Sequence, residues 1–302
     1  MAKVIVFGGI NMDLFAYIPR STRQGETITA SSIEFYLGGK GANQAVAAAR
    51  LGAEVAFVGT VGKDEFGEKL IKMISSENID TSLMNYKEGQ TGTALINVLE
   101  NSNNEVISYP GVNKLTQDTF INESFLSESE IIICQMEVNE EETFNLFKRA
   151  KKNNCTTILN LAPYKKISTQ ILTFTDVLIV NETEFSELSG IELSLIDEDL
   201  NTDAINSLNL SKSINLIVTL GKKGILIFSN GNKTFIAGEK VKAIDTVGAG
   251  DCFVGALGYG ILNGKDLLTA SKLANKAASI SVIKKGAAAS MPFLKDIPDL
   301  YH

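Results

Sequence analysis

The chain has 302 residues, 44% hydrophobic and 21% charged with only 5 prolines, a balance that excludes disordered, collagen-like and coiled-coil classes because it can bury enough apolar surface to offset chain ordering. Its 28 basic and 35 acidic residues give a formal net charge of −7, and no basic cluster forms the phosphate-tracking stripe of a nucleic-acid binder. The apolar run at the N-terminus is too short for a signal-peptide core and no stretch approaches the roughly 18 apolar residues that span a bilayer, so a cytoplasmic protein with no membrane partner is expected.

Strand-like runs at 4–7, 55–59, 131–134, 157–159, 177–180, 216–220 and 225–228 alternate with helical stretches, the pattern of βαβ units and a largely parallel sheet. One helix starts after Asp64 as N-cap and places Phe66, Leu70, Met73 and Ile74 on one face. Another starts after Asn139, with Glu142 in the capping-box position and Phe144, Phe147 and Ala150 on one face. Two segments break the alternation: 14–36, with ETITASSIEFY alternating at period 2, and 91–109, with TGTALINVLE, a polar NSNN turn and EVISY. They predict a small antiparallel sheet projecting from a single α/β body of residues 1–302, and insertions of this kind often cover a site as a lid.

Cys134, Cys155 and Cys252 are odd in number and widely spaced among apolar neighbours, which reads as reduced core thiols. The single histidine is His302. Ser-His-Asp, Cys-His and zinc-histidine mechanisms are therefore removed, and the general base of an enzyme must be a carboxylate, lysine, tyrosine or thiolate.

Two glycine-rich runs carry chemistry. In LGGKGANQAVAAAR, residues 37–50, glycines let the backbone approach a ligand before an alanine-rich helix, or simply make a tight turn into one. In IDTVGAGDCFVGAL, residues 244–257, Gly248, Ala249 and Gly250 open a helix continuing through Leu262, whose amides and dipole make an anion site. Asp251 follows directly, placed to take a proton from a hydroxyl attacking a phosphoryl group held there, or merely favoured by the dipole. No Walker A pattern is present, and no G-x-G-x-x-G follows the first strand.

With Gly39-Lys40-Gly41 early and Gly248-Ala249-Gly250-Asp251 late, the chain resembles the ribokinase, or PfkB, family of sugar and nucleoside kinases. The match covers nearly the whole chain, since Gly9-Ile-Asn-Met-Asp13, Gly25-Glu-Thr27, Gln135-Met-Glu137, Asn181-Glu-Thr-Glu184, Thr219-Leu-Gly221 with Gly224, and Lys285-Gly-Ala287 with Ser290 follow in family order. The resemblance implies a three-layer α/β/α fold with a mainly parallel central sheet and a β-sheet lid. It also implies ATP-dependent phosphorylation of D-ribose at O5, with Mg²⁺ and a K⁺ activator, and a homodimer paired through lid strands. Another sugar or nucleoside acceptor is the near alternative, and a non-catalytic sugar-binding regulator the distant one.

Residue by residue, the resemblance assigns Asn11, Asp13, Gly39, Lys40, Asn43 and Glu137 to the sugar, and Asp251 to proton transfer beside the Gly248, Ala249 and Gly250 amides. It assigns Asn181, Glu184, Thr219, Gly221, Gly224, Gly250 and Asn275 to the nucleotide side, with Glu184 holding magnesium through water. Asp245 and Ser290, with the backbone carbonyls of Val247, Ser281, Lys284 and Gly286, would form the monovalent-cation loop. The family's N-P-A-P-A reads Asn160-Leu-Ala-Pro-Tyr164 and its P/A-G-A-N reads Pro110-Gly-Val-Asn113, departures that touch acceptor choice. Phe15, Tyr17, Phe35 and Tyr36 in the lid read as packing rather than base stacking, and Arg20 and Arg23 as a solvated loop rather than a phosphate reader.

Overall fold

Strict alternation within the short apolar strands gives the central sheet two buried faces. The computed structural model describes residues 2–99, 104–193, 196, 197, 200, 205, 208, 210 and 214–297; His302 and most of the predicted NSNN turn lie outside them. Eight strands order as Asn232–Ala237, Gly224–Ser229, Asn215–Thr219, Val177–Asn181, Thr156–Asn160, Ile131–Cys134, Val4–Phe7 and Val55–Val58. The six from Asn215–Thr219 to Val55–Val58 are parallel, and the two at the other edge run antiparallel.

Val4, Val6, Ile131 and Ile133 join one core with the helices Lys40–Arg50, Glu65–Ser75, Ala249–Leu262 and Leu267–Ser281. Ile5, Phe7, Ile132 and Cys134 join the opposite core with the helices Glu140–Lys152 and Glu182–Ser189. The result is the expected three-layer α/β/α body. Phe7, Phe57, Phe147 and Phe185 are among its fully buried side chains, each contributing about 2–3 kcal/mol through the apolar surface it takes out of water. All three cysteines are buried and free, and no helix among the described residues is long and apolar enough to cross a membrane.

The predicted helix stripe behind Asp64 is present, with Leu70 and Ile74 buried and Phe66 and Met73 packed against the same core. The capping box at Asn139 is not. Asn139 accepts from the Glu141 N–H, while the Glu142 carboxylate accepts the backbone N–H of Asp118 and so ties the helix to the short turn Asp118–Phe120. Strand Asn232–Ala237 lies outside the predicted set because its exposed N-K-T run has no apolar signal. It forms because Asn230 and Gly231, at φ 51° and 78°, make a two-residue hairpin turn.

A second sheet orders as Ser32–Gly38, Asn11–Ile18, Thr93–Leu99 and Asn104–Tyr109. Its middle pair is parallel, which corrects the wholly antiparallel expectation: the strands at Asn11 and Thr93 leave the body in the same direction and are zipped together before their hairpins turn back. Its first two strands run from Asn11 to Gly38, beyond the predicted 14–36, and the period-2 pattern before Ser32 forms no strand. Phe15, Ala94 and Ile96 make a small core on one face, with Phe15 and Tyr36 edge to face at 5.2 Å. The four lid aromatics are thus packing groups or, like the 41%-exposed Phe35 near Phe66, lie on the other face.

Candidate active site

The strand order reverses at Val4–Phe7: the chain moves from it to Val55–Val58 on one side and later to Ile131–Cys134 on the other. Connections leaving these neighbours go to opposite layers, and a crevice opens at their C-terminal ends. Into it the Asn11–Ile18 strand brings Asn11 and Asp13, and the Lys40–Arg50 helix, capped by Gly39 at φ 89°, brings Lys40 and Asn43. Glu137 arrives from the segment after Ile131–Cys134, and Asp251 from the first turn of Ala249–Leu262.

Asn11, Asp13, Asn43 and Asp251 are all buried. A side chain at residue 38 cannot coexist with this arrangement, because a Cβ on Gly38 would sit 2.0 Å from the Asp13 carboxyl carbon. Burial, then the charges of Glu137 and Asp251, push the Asp13 carboxyl up to about 7. Burial also raises Glu137, opposed by the Lys40 ammonium and by the Lys40 backbone N–H, which donates to Glu137 Oε2 at 2.7 Å. Asp251, ahead of Glu137 and Glu184, raises Lys40 against its own desolvation. A single ammonium therefore faces several carboxylates across the crevice, an arrangement rich in acceptors for vicinal hydroxyls.

Asp251 is held at both oxygens. Asn43 Nδ2 donates to its Oδ2 at 3.0 Å and Gln44 Nε2 to its Oδ1 at 3.0 Å. The turn before it requires Gly248, whose φ of 78° is left-handed and whose Cβ would touch Ala287 at 3.0 Å. The predicted three-amide anion site is narrower than expected, because the Ala249 N–H already donates to the Thr246 carbonyl at 3.3 Å. The Gly250 and Asp251 amides belong to a first helical turn whose N–H groups have no partner within the helix, and the space where a Gly250 side chain would stand is open.

Two cavities meet at Gly250 and Thr219. A polar one of about 180 Å³ is lined by Lys40, Asn160, Asn181, Glu184, Gly248 and Asp251 among others. A more apolar one of about 290 Å³ takes in Gly221, Gly224, Asn275, Val241, Phe253 and Val282. The structure therefore brings all the residues expected on the nucleotide side onto one continuous depression. Asn181 and Glu184 form a reciprocal capping box at their helix start, Asn181 Oδ1 accepting the Glu184 N–H and Glu184 Oε2 accepting the Asn181 N–H, both at 2.8 Å. Burial raises Glu184, and Lys40 opposes that.

Asp245 joins two loops, accepting from the Val247 N–H at 3.0 Å and the Gly286 N–H at 2.9 Å. Ser281 and Ser290 are buried beside these loops, and the Lys284 N–H donates to the Ser281 carbonyl. Arg20 is paired with Glu26, which also accepts the Arg23 N–H, so this loop is stapled to itself.

Four site residues had no assigned role in the sequence reading. Asn113 of the Pro110-Gly-Val-Asn113 run grips Ile10 and Asn11, and Gln44, Gln135 and Asn160 form a buried amide chain ending on Asp251. Gln44 and Gln135 stand inside the quoted motifs, but side-chain partners 91 and 207 positions apart leave no local periodicity to read.

The pfkB family carbohydrate kinase model matches residues 1–294. A ribokinase of Haemophilus influenzae is 36% identical over 290 residues, covering 95% of this chain and 94% of that protein. The ribokinase structure from Thermotoga maritima superposes with a TM-score of 0.88 at 32% identity, over 99% of both chains. The Arabidopsis thaliana ribokinase, solved with ribose and ATP, superposes with a TM-score of 0.89 at 28% identity, over 99% of this chain and 98% of that one. On fold, sequence and the arrangement of the crevice, this chain belongs to the pfkB family of carbohydrate kinases.

Proposed function

We propose that this protein phosphorylates D-ribose at O5 with ATP as donor, and that Asp251 accepts the hydroxyl proton. The observation that carries the reading is the position of Asp251: buried at the bottom of the acceptor crevice, on the first turn of a helix whose N-terminus opens into the two-part cavity. Asn11, Asp13, Asn43 and Glu137, with Lys40 and the Gly39 backbone, hold the sugar hydroxyls. The primary hydroxyl oxygen attacks the γ-phosphorus, its proton passes to an Asp251 oxygen, and the bond to the β-phosphate oxygen breaks to release ADP. A carboxylate is a weak base for an alcohol, so proton transfer comes late and positioning contributes most of the acceleration. The Gly248 and Gly250 amides and the helix dipole stabilise charge on the transferring group.

Thr219, Gly221, Gly224 and Asn275 face the nucleotide. Glu184 fits a water-mediated Mg²⁺ role, because it is buried, one of its oxygens is held by the Asn181 N–H, and no group of three or more metal-ligating side chains stands ready among the described residues. Mg²⁺ would neutralise triphosphate charge there. Asp245 with the carbonyls of Val247, Ser281, Lys284 and Gly286, and Ser290, is an all-oxygen set on two loops joined through Asp245, which suits a hard monovalent cation such as K⁺. The second sheet serves as lid over the sugar. Its outer face, with Ile33, Leu95, Ile107 and Tyr109 exposed, pairs with a second copy; a monomeric mass in light scattering at working concentration speaks against that pairing.

The test is phosphate transfer from Mg-ATP to ribose, 2-deoxyribose, adenosine and fructose 6-phosphate in potassium buffer, with Asp251→Asn beside the wild type. Preference for ribose, with turnover lost but ribose binding kept in the variant, supports the reading. Preference for another acceptor overturns ribose while keeping Asp251, and turnover retained by Asp251→Asn overturns the proton-transfer assignment.

A further inference from the structure

Asp251 depends on a residue of another helix for its orientation. The Ala249–Leu262 and Lys40–Arg50 helices cross with almost no side chain between them: a Cβ on Gly255 would stand 2.4 Å from the Gln44 carbonyl oxygen and 2.7 Å from the Ala47 Cβ. Asp251 lies one turn before Gly255 on the same face, so the close crossing carries Gln44 against the Asp251 carboxylate. The Gln44 amide nitrogen donates one hydrogen to Asp251 Oδ1 at 3.0 Å and the other to Asn160 Oδ1 at 3.1 Å. Its own oxygen accepts from Gln135 Nε2 at 2.6 Å. Gln44 and Gln135 are completely buried, and every polar atom of Gln44 is engaged, so its amide cannot rotate without leaving buried groups unpaired.

We infer that Gln44, braced by Gln135, is a positioning residue that fixes the rotamer of Asp251 and keeps its carboxylate ready to accept the acceptor's proton. The inference rests on the proposed phosphoryl transfer. Asn43 alone would leave the Asp251 carboxylate free to swing about one hydrogen bond, and the amide on the second oxygen removes that freedom. Both donors are neutral, so they orient the carboxylate without cancelling its charge as a bidentate arginine would. The charged and titratable groups facing Asp251 are Lys40 on the neighbouring helix, Asp13 on the second sheet, Glu137 after the Ile131–Cys134 strand and Glu184 on the Glu182–Ser189 helix, with the Cys252 thiol next in sequence. None of these touches the Oδ1 that Gln44 holds.

The experiment compares wild type, Gln44→Met, Gln44→Glu and Gln135→Met for kcat and KM, using whichever acceptor the wild type phosphorylates, with thermal melts and calorimetric acceptor binding. Gln44→Met is expected to lower kcat on the order of 10- to 100-fold with acceptor KM and binding within about threefold. The loss falls on kcat and not on KM, because the carboxylate loses its orientation while the sugar contacts stand. Gln44→Glu, of the same shape but with no amide hydrogen to donate, lowers kcat further, and Gln135→Met lowers it less. A folded Gln44→Met with wild-type kcat overturns the inference, as does a loss confined to melting temperature. If Gln44→Met fails to fold, Gln44→Glu decides by the same split between kcat and KM. A wild type inactive on every acceptor removes the functional reading itself, and Gln44 with it; an active wild type with indifferent Gln44 variants removes only this inference.

Discussion

Asn113 Nδ2 donates to Asn11 Oδ1 at 2.8 Å across 102 positions of sequence, while the rest of the Asn113 amide pairs with both the N–H and the carbonyl of Ile10. One buried side chain thus orients the Asn11 amide, proposed above to hold the sugar, and supports the backbone that carries it.

Replacing that side chain separates the two effects. Asn113→Ala leaves the Ile10 N–H without its partner and is expected to cost about 1–3 kcal/mol of stability in urea unfolding. Acceptor KM is expected to rise about tenfold or more, with a smaller change in kcat, because Asn11 loses its orientation while Asp251 keeps its own. An unchanged KM in steady-state kinetics removes Asn113 from acceptor binding.

Asp13 makes the free protein's stability pH-dependent in a definite direction. Its folded-state value is raised to about 7 by burial and by neighbouring carboxylates, so the folded chain binds a proton that the unfolded chain has already released. Stability from this group is present below the ordinary carboxylate value of 3.8 and is lost as pH rises through about 7. The melting temperature should fall between pH 5 and pH 8, and Asp13→Asn should flatten that fall; a variant with the wild-type slope assigns the effect elsewhere.

Potassium should raise activity over sodium at equal ionic strength, because a loop set of carbonyl and carboxylate oxygens favours the more easily dehydrated ion. Asp245→Asn should weaken this preference, since Asp245 holds the Val247 and Gly286 loops together. Equal rates in the two buffers remove the cation site.

Ser271, on the Leu267–Ser281 helix, carries a buried hydroxyl with no hydrogen-bond partner among the described residues. Ser271→Ala removes an unsatisfied polar group and improves helix propensity, so it is expected to stabilise the chain by about 0.5–1 kcal/mol without changing kcat. A loss of stability on urea unfolding reveals a partner for that hydroxyl.

Local chemistry made much of this legible. Short apolar runs bounded by turn residues read as buried strands, and Gly248-Ala249-Gly250-Asp251 reads as a helix start with a carboxylate on its first turn. Asp64 reads as a cap for the same reason: its hydrogen bond closes within three residues. Glu142 did not follow that logic, because the Asp118 N–H, 24 positions away, competes for the same carboxylate. Asn230 and Gly231 turn the chain into Asn232–Ala237, yet the strand itself gains its place only by pairing with Gly224–Ser229.

By itself, then, the order of residues determined most of the elements of the central body, the two glycine-rich runs and the inventory of acids and amides available for chemistry, since each depends on neighbours a few positions apart. Only the tertiary structure decided which of them meet: the parallel pairing at the root of the second sheet, the reversal at Val4–Phe7 that opens the crevice, and the helix crossing at Gly255 that sets Gln44 on Asp251. Those meetings depend on layer packing and close backbone approach between distant segments, the Gln44–Asp251 pair lying 207 positions apart, and no short-range pattern encodes a contact that exists only when the layers close.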